Sequence, residues 1–230
     1  MASETALVAR ELYRFYRAGE EETLALRGVS LHVERGETLA VVGPSGSGKS
    51  TLLACLAGLD EPSGGEVRVA GIRISHRPET ERARLRARHI GVLLQTRNLL
   101  PHVSIQDNIR LAQRADTGRP AVSARQLLGQ VGIAERAHAL PRQLSGGELA
   151  RAGLAVALAN SPDVLLADEP TGELDGETEQ VVLALLRDRA AQGCAVLIVT
   201  HSEAAVRVAD RVVELADGRA GSPAVSKTAK

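Results

Sequence analysis

The chain has 230 residues, 44% hydrophobic and 24% charged, which is the make-up of an ordinary globular protein; it excludes disordered and collagen-like chains and predicts one domain, with room for a subdomain. Lys plus Arg equal Asp plus Glu at 28 each, so the positive field that sequence-independent nucleic-acid binding needs is missing and no nucleic-acid partner is expected. The first residues lack a basic then apolar leader and no window reaches ~18 apolar residues, so neither a secretory signal nor a membrane span is expected.

In chain order, residues 6–12, 29–33 and 38–42 read as strands, the last ending at a glycine-rich turn. The only aromatic residues, Tyr13, Phe15 and Tyr16, follow the first of these, so the rest of the core is aliphatic. A helix is expected from Gly48 to about Gly58, then a hairpin of 67–69 and 72–74 around Ala70-Gly71. The basic run holding Arg82, Arg84, Arg86 and Arg88 reads as a solvated helix with cations pointing to alternating sides, followed by a strand at 90–94. From about 99 to 160 the spacing turns helical, with Ser104 and Ser123 as N-caps and Pro101, Pro120 and Pro141 as punctuation. Strands at 164–167 and 195–200 flank a helix at 177–191, which predicts a parallel sheet covered on both faces. Cys55 and Cys194 lack metal-ligand spacing and read as buried, reduced thiols; 219–230 reads as a flexible tail.

Gly43-Pro44-Ser45-Gly46-Ser47-Gly48-Lys49-Ser50 fits G-x-x-x-x-G-K-[ST] and stands between a strand and a helix, where the loop can turn its backbone N–H groups onto phosphate oxygens at a helix N-terminus. Lys49 is expected to reach the β- and γ-phosphates, Ser50 to ligate Mg²⁺ and Thr51 to donate to the α-phosphate. Lys49 is also the only lysine outside the C-terminal tail, where Lys227 and Lys230 lie, in a chain that otherwise uses Arg. An apolar strand ending in Asp168-Glu169 has the form of a Walker B element, with Asp168 for the Mg²⁺ shell and Glu169 to polarise the attacking water. Leu144-Ser145-Gly146-Gly147-Glu148 opens a second helix with free donors, and two anion-binding helix starts for one nucleotide are explained by a head-to-tail dimer.

These residues, with Gln95 and His201 placed in order around them, resemble the nucleotide-binding subunit of an ATP-binding cassette (ABC) transporter over about residues 7–218. The stretches 58–66, 98–101 and 167–172 are similar to the macrolide-export and lipoprotein-release branch of bacterial ABC ATPases. The resemblance implies an α/β fold: a P-loop NTPase (RecA-like) core at about 6–98 and 161–218, carrying an antiparallel β subdomain, and an inserted α-helical signature subdomain at about 99–160. It implies ATP and Mg²⁺ as ligands, with Ser50, Gln95 and Asp168 around the metal. Catalysis is assigned to Glu169, His201 and Gln95, ATP binding to Tyr16 and residues 43–51, and the partner's ATP to Leu144, Ser145, Gly146, Gly147 and Glu148. Asp175 belongs to the D-loop. The implied assembly is a homodimer acting on a separate transmembrane permease subunit, cytoplasmic and peripheral on the inner face of the membrane, and working in export or as a mechanical device.

Against the family's common pattern, the signature ends in Glu148 instead of Gln, Ala150-Arg151 replaces Gln-Arg, Val156 replaces an arginine, Glu173 replaces Asn and Leu94 replaces an aromatic. Two alternatives stay open at this level: a soluble ABC ATPase acting on DNA or ribosomes, disfavoured by the lack of a long coiled coil and of a second cassette, and a regulatory subunit that binds ATP but hydrolyses it weakly. Tyr16 stands where the family's adenine-stacking aromatic lies, with Phe15 the runner-up. Stacking on a base is worth roughly 1–3 kcal/mol. Tyr16→Ala is therefore expected to raise the ATP dissociation constant about tenfold in equilibrium binding, with folding intact.

Overall fold

A computed structural model describes residues 5–18, 21–116, 122–221 and 224–225. Two sheets organise them. β1 (Thr5–Ala18) and β2 (Glu21–Glu34) form one antiparallel hairpin, with Thr5 opposite Glu34 and Ala18 opposite Glu21. Both strands outrun the apolar segments at 6–12 and 29–33. Their ladder is made by backbone groups, which polar side chains on an exposed face do not interrupt. β4 (Gly64–Val69) pairs with β1 on its other edge and β5 (Ile72–Arg73) pairs with β4, giving the antiparallel order β2-β1-β4-β5. Ala70 and Gly71 turn that last corner with φ of 49° and 77°, the left-handed pair a tight hairpin requires.

The second sheet contains β3 (Thr38–Val42), β6 (Ile90–Leu93), β7 (Val164–Asp168), β8 (Ala195–Val199) and β9 (Arg211–Ala216), all parallel, in the order β9-β3-β8-β7-β6. β10 (Arg219–Ala220) and β11 (Ala224–Val225) run antiparallel to β9, so part of the segment read as a flexible tail is strand. Its backbone finds partners at a sheet edge that local composition does not reveal. β9 is likewise absent from the sequence reading, because its polar Arg211 and Glu214 break the apolar run.

Successive residues of the central strands serve two cores. Val164 and Leu166 of β7 and Ala195, Leu197 and Val199 of β8 join the antiparallel sheet and α1 (Lys49–Leu56) on one side. Leu165, Ala167, Val196 and Ile198 join the helices on the other. These helices are α3 (Ile105–Arg114), α4 (Ala124–Gln130), α5 (Gly146–Ala157) and α6 (Gly176–Ala191). Ser104 and Ser123 cap α3 and α4 through their side chains, as their positions predict; Pro120 lies outside the described residues. The molecule thus has a P-loop NTPase core with a β subdomain and a helical subdomain, and the helical segment packs directly on one face of the parallel sheet. Among the described residues no helix is long and apolar enough to cross a membrane.

Two expectations change. The basic helix, α2 (Glu79–His89), does place Arg84 and Arg88 in solvent. The cations alternate between sides as expected, but only half are free in solvent: on the other side Arg82 and Arg86, four residues apart, both bond Glu79, Arg82 also reaches Glu61, and Arg86 donates to the Gly58 carbonyl. Cys55 is buried whereas Cys194 is half-buried, and burial pushes both thiols up to about 12.

β6 and α5 meet at Gly91, where an added Cβ would lie 2.3 Å from the Ala157 carbonyl oxygen. Because the obstacle is backbone, Gly91→Ala is expected to destabilise the fold by about 1–3 kcal/mol. Thermal unfolding should show a midpoint lower by roughly 2–4 °C per kcal/mol.

Candidate nucleotide site

All five parallel strands end at the same edge, and a site segment follows each of them. The loop 43–48 follows β3, Gln95 follows β6, Asp168 ends β7, His201 follows β8, and Asp217-Gly218 follows β9. They line an open cleft of ≈ 1060 Å³, together with Tyr16 of β1 and Thr23, Leu24, Ala25 and Arg27 of β2. That size is ample for a nucleotide, since ligand pockets run to roughly 1,000 Å³.

The loop's path is dictated by close backbone approach. Gly43 has φ of 150° and a Cβ there would lie 2.0 Å from the Leu215 carbonyl oxygen; Gly48 has φ of 103° and its Cβ would lie 2.5 Å from the Ala25 carbonyl oxygen. Neither position admits a side chain. Lys49 is buried, and its Nζ donates to the carbonyls of Gly43 and Pro44, 2.8 Å each, closing the loop into a ring at the start of α1. Ser45, Gly46, Gly48, Lys49, Ser50 and Thr51 line the cleft, whereas Gly43, Pro44 and Ser47 are not part of its lining, and the buried Ser47 hydroxyl has no hydrogen-bond partner among the described residues.

Ser50 and Asp168 both line this cleft. Burial and then the adjacent Glu169 charge raise the Asp168 carboxyl above its ordinary value, opposed by Ser50 and Lys49. Among the described residues no cluster of three or more His, Cys, Asp or Glu could hold a metal. A hydroxyl and one carboxylate beside a phosphate cradle nevertheless suit Mg²⁺, which takes few protein ligands and completes its shell with phosphates and water.

Glu169 adopts φ of 45°, a left-handed conformation uncommon for a residue with a side chain. Its amide donates to the Val199 carbonyl, which ties it to β8. Its Oε2 accepts from Thr200 Oγ1 (3.3 Å) and from the His201 amide (3.2 Å), and His201 Nε2 lies 3.4 Å from Oε1. Oε1 is buried and has no hydrogen-bond donor among the described residues. Gln95 lies across the cleft near Gly172, in a loop held shut by Asn98, which accepts from the Leu94 amide and donates to the Leu94 carbonyl.

The signature residues lie elsewhere. Leu144 to Glu148 contribute nothing to the lining of this cleft. Ser145 caps α5 and receives the Glu148 amide, while Glu148 Oε2 accepts the Ser145 amide (2.9 Å) and Oε1 accepts from Arg136 Nε (2.8 Å). The Ser145 amide, followed by Arg136, holds the Glu148 carboxyl below the usual range. The departure from Gln thus completes a capping box with an ion pair. Gly147 packs closely on α6, since an added Cβ would meet Thr178 Cγ2 at 2.3 Å and that side chain would have to shift. Asp175 also lies outside the cleft lining and caps α6, accepting from the Thr178 amide and hydroxyl.

Glu179 escapes sequence reasoning. One turn into α6, its Oε1 accepts from both Thr171 Oγ1 (2.9 Å) and Ser202 Oγ (2.6 Å), joining the segment after Glu169 to the segment after His201. The Ser202 amide donates in turn to Thr200 Oγ1, which reaches Glu169. No motif marks a helix carboxylate whose two partners come from different loops.

The fold and cleft define a P-loop ATPase cassette. The sequence matches the ABC transporter family over residues 26–172, and the chain belongs to that family. It is similar to the macrolide export ATP-binding/permease protein MacB 2 of Aeromonas hydrophila (41% identical, covering 94% of this chain and 34% of that protein). Similarity to MacB of Rhodopirellula baltica is 43%, covering 90% and 31%. The chain spans about a third of the length of these relatives. Among solved structures it resembles the dimeric bacterial ABC transporter cassette MJ0796 with a TM-score of 0.88, 33% identity, and coverage of 97% of this chain and 100% of that one. The post-hydrolysis dimer of the same cassette, bound to ADP and Pi, matches equally.

Removing the Glu179 acceptor leaves the buried Thr171 hydroxyl without a partner among the described residues and takes the acceptor from the Ser202 hydroxyl, which still receives the Ala204 and Ala205 amides. Glu179→Ala is expected to cost about 1–3 kcal/mol of stability in denaturant unfolding. Glu179→Gln, whose amide oxygen can accept both bonds, should retain most of it.

Proposed function

We propose that this cassette binds ATP with Mg²⁺ and hydrolyses it, dimerising head to tail around two nucleotides to drive a transmembrane permease on a separate subunit. The observation that carries the hydrolytic reading is the Glu169 carboxylate, fixed by Thr200 and the His201 amide, whose buried Oε1 lies 3.4 Å from His201 Nε2 and has no hydrogen-bond donor among the described residues. Such an oxygen is available to a water proton.

In this reading the backbone of 46–49 and the start of α1 hold the phosphates, and Lys49 exchanges its two carbonyl partners for phosphate oxygens. Ser50 and Asp168 hold Mg²⁺, with Gln95 on the facing wall. When bound, the ion neutralises charge on the β- and γ-phosphate oxygens. Glu169 accepts a proton as water attacks: the water oxygen bonds the γ-phosphorus, the bond to the β–γ bridging oxygen breaks, and ADP departs with that electron pair. His201 contacts the γ-phosphate and keeps Glu169 in place. Tyr16 stacks on adenine.

The dimer is supported by the position of residues 144–148 outside the chain's own cleft, and by the dimeric form of the MJ0796 cassette. Ser145, Gly146 and Gly147 then close on the nucleotide of the partner subunit, with Asp175 at the seam. The similarity to macrolide export ATP-binding/permease proteins supports an export or mechanical role at the inner face of the membrane.

Glu169→Gln is expected to keep ATP affinity, lose steady-state phosphate release by about 10²–10⁴-fold, and accumulate as an ATP-bound dimer in size-exclusion chromatography. Undiminished phosphate release would overturn the assignment.

A further inference from the structure

The stretch 58–66 resembles one branch of the family, yet nothing in the proposed catalytic cycle uses it. Its Asp60 stands at the end of a chain of contacts that begins at Tyr16. The Tyr16 hydroxyl donates to Asp60 Oδ2 at 2.8 Å. Arg14 donates to the same carboxylate through both arms of its fork, Nε to Oδ2 at 2.8 Å and Nη2 to Oδ1 at 2.7 Å. Arg14 and Tyr16 are two residues apart on β1 and share a face of the sheet, so the guanidinium lies over the ring, 4.6 Å from its centre.

Asp60 is itself anchored. Its amide donates to the carbonyl of Ala54 in α1 (3.1 Å), and its Oδ1 accepts the Glu61 amide (2.8 Å). The Arg14 and Asp60 side chains are largely covered, at 23% and 25% exposure, so this pair is sheltered more than an ordinary surface ion pair. Despite the opposing effect of burial, the Tyr16 phenol and the Arg14 guanidinium hold the Asp60 carboxyl below its usual range.

We propose that Arg14 and Asp60 are positioning residues for the nucleobase: they hold the Tyr16 ring from its edge and one face, leave the opposite face for adenine, and tie that ring to the helix that begins with Lys49. The proposal rests on the reading of Tyr16 as the base-stacking residue. Its physical content is preorganisation. A bare tyrosine on a half-exposed hairpin loses rotamer freedom when a base stacks on it, whereas this one is already held by a hydrogen bond, a stacked cation and a forked ion pair. Because Asp60 bonds α1, the platform for the base and the cradle for the phosphates are parts of one rigid piece, and the distance between them is set before ATP arrives. Phe15, the neighbouring ring, has neither contact and does not line the cleft.

The test compares ATP with inorganic tripolyphosphate, which presents the phosphates without a base. Equilibrium binding is measured for the wild-type chain, Tyr16→Ala, Tyr16→Phe, Asp60→Ala and the double variant Tyr16→Ala/Asp60→Ala, with thermal unfolding of each as a check on folding. Asp60→Ala is expected to weaken ATP about three- to tenfold and leave tripolyphosphate unchanged. Tyr16→Phe, which keeps the ring and loses only the phenol bond, should fall between wild type and Asp60→Ala. In the Tyr16→Ala background, removing Asp60 should cost nothing further, because the group it positions is gone. Equal weakening of ATP and tripolyphosphate by Asp60→Ala, or full additivity with Tyr16→Ala, would make the cluster a support of the hairpin only and overturn the proposal. If Asp60→Ala fails to fold, Tyr16→Phe decides: wild-type ATP affinity for that variant overturns it. A Tyr16→Ala chain with unchanged ATP affinity would instead remove the base-stacking reading itself.

Discussion

The site depends on a length of backbone that passes where no side chain fits. Gly43 crosses under the Leu215 carbonyl and Gly48 under that of Ala25, both with φ values that disfavour a Cβ. One contact sets the loop against β9 and the other against β2, so a strand of each sheet forms part of the mould of the proposed phosphate cradle. Lys49 then pins the loop from inside through two of its carbonyls. A chain that buries an ammonium against neutral carbonyls keeps a charge ready for an anion.

The rest follows from parallel strands. Five neighbouring strands running the same way bring their carboxyl ends to one edge, and residues far apart in sequence meet there. Apolar side chains alternate between a core shared with the antiparallel sheet and a core shared with the helices, so neither face of the sheet is free to slip. The cleft therefore sits on a rigid rim, while its second wall comes from the β1–β2 hairpin. Arg14, Tyr16 and Asp60 are the contacts through which that hairpin and the end of α1 hold a common geometry.

Around the cleft and the start of α5 lies a layer of hydrogen bonds that explains several unusual residues. Glu148 stands where the family's common pattern has a neutral amide without stranding a charge, because the Ser145 amide and Arg136 both donate to its carboxylate. Asn98 closes the turn that carries Gln95. Glu179 bridges Thr171 and Ser202, so the turns after Glu169 and His201 are tied to each other through α6. Nothing in the structure explains Val156 beyond its packing on the helical core.

The sequence by itself determined the elements whose signals are local. Glycines at 43, 46 and 48 ahead of Lys49 announce an anion cradle because only glycine follows that path, and the apolar runs before Asp168 and His201 announce buried parallel strands. Ser104 and Ser123 each cap the helix they precede, as read, since capping is a contact between near neighbours; the structure adds Ser145 and Asp175 as caps of α5 and α6. The full length of the hairpin, β9 and the paired residues 219–220 and 224–225 were settled by partners distant along the chain, and backbone pairing leaves no mark on the side-chain pattern. For the same reason Glu179, Asp60 and the wall formed by Thr23 to Ala25 became visible only in three dimensions. Their roles come from what the fold places beside them, whereas the cradle's role is written in what glycine and lysine can do alone.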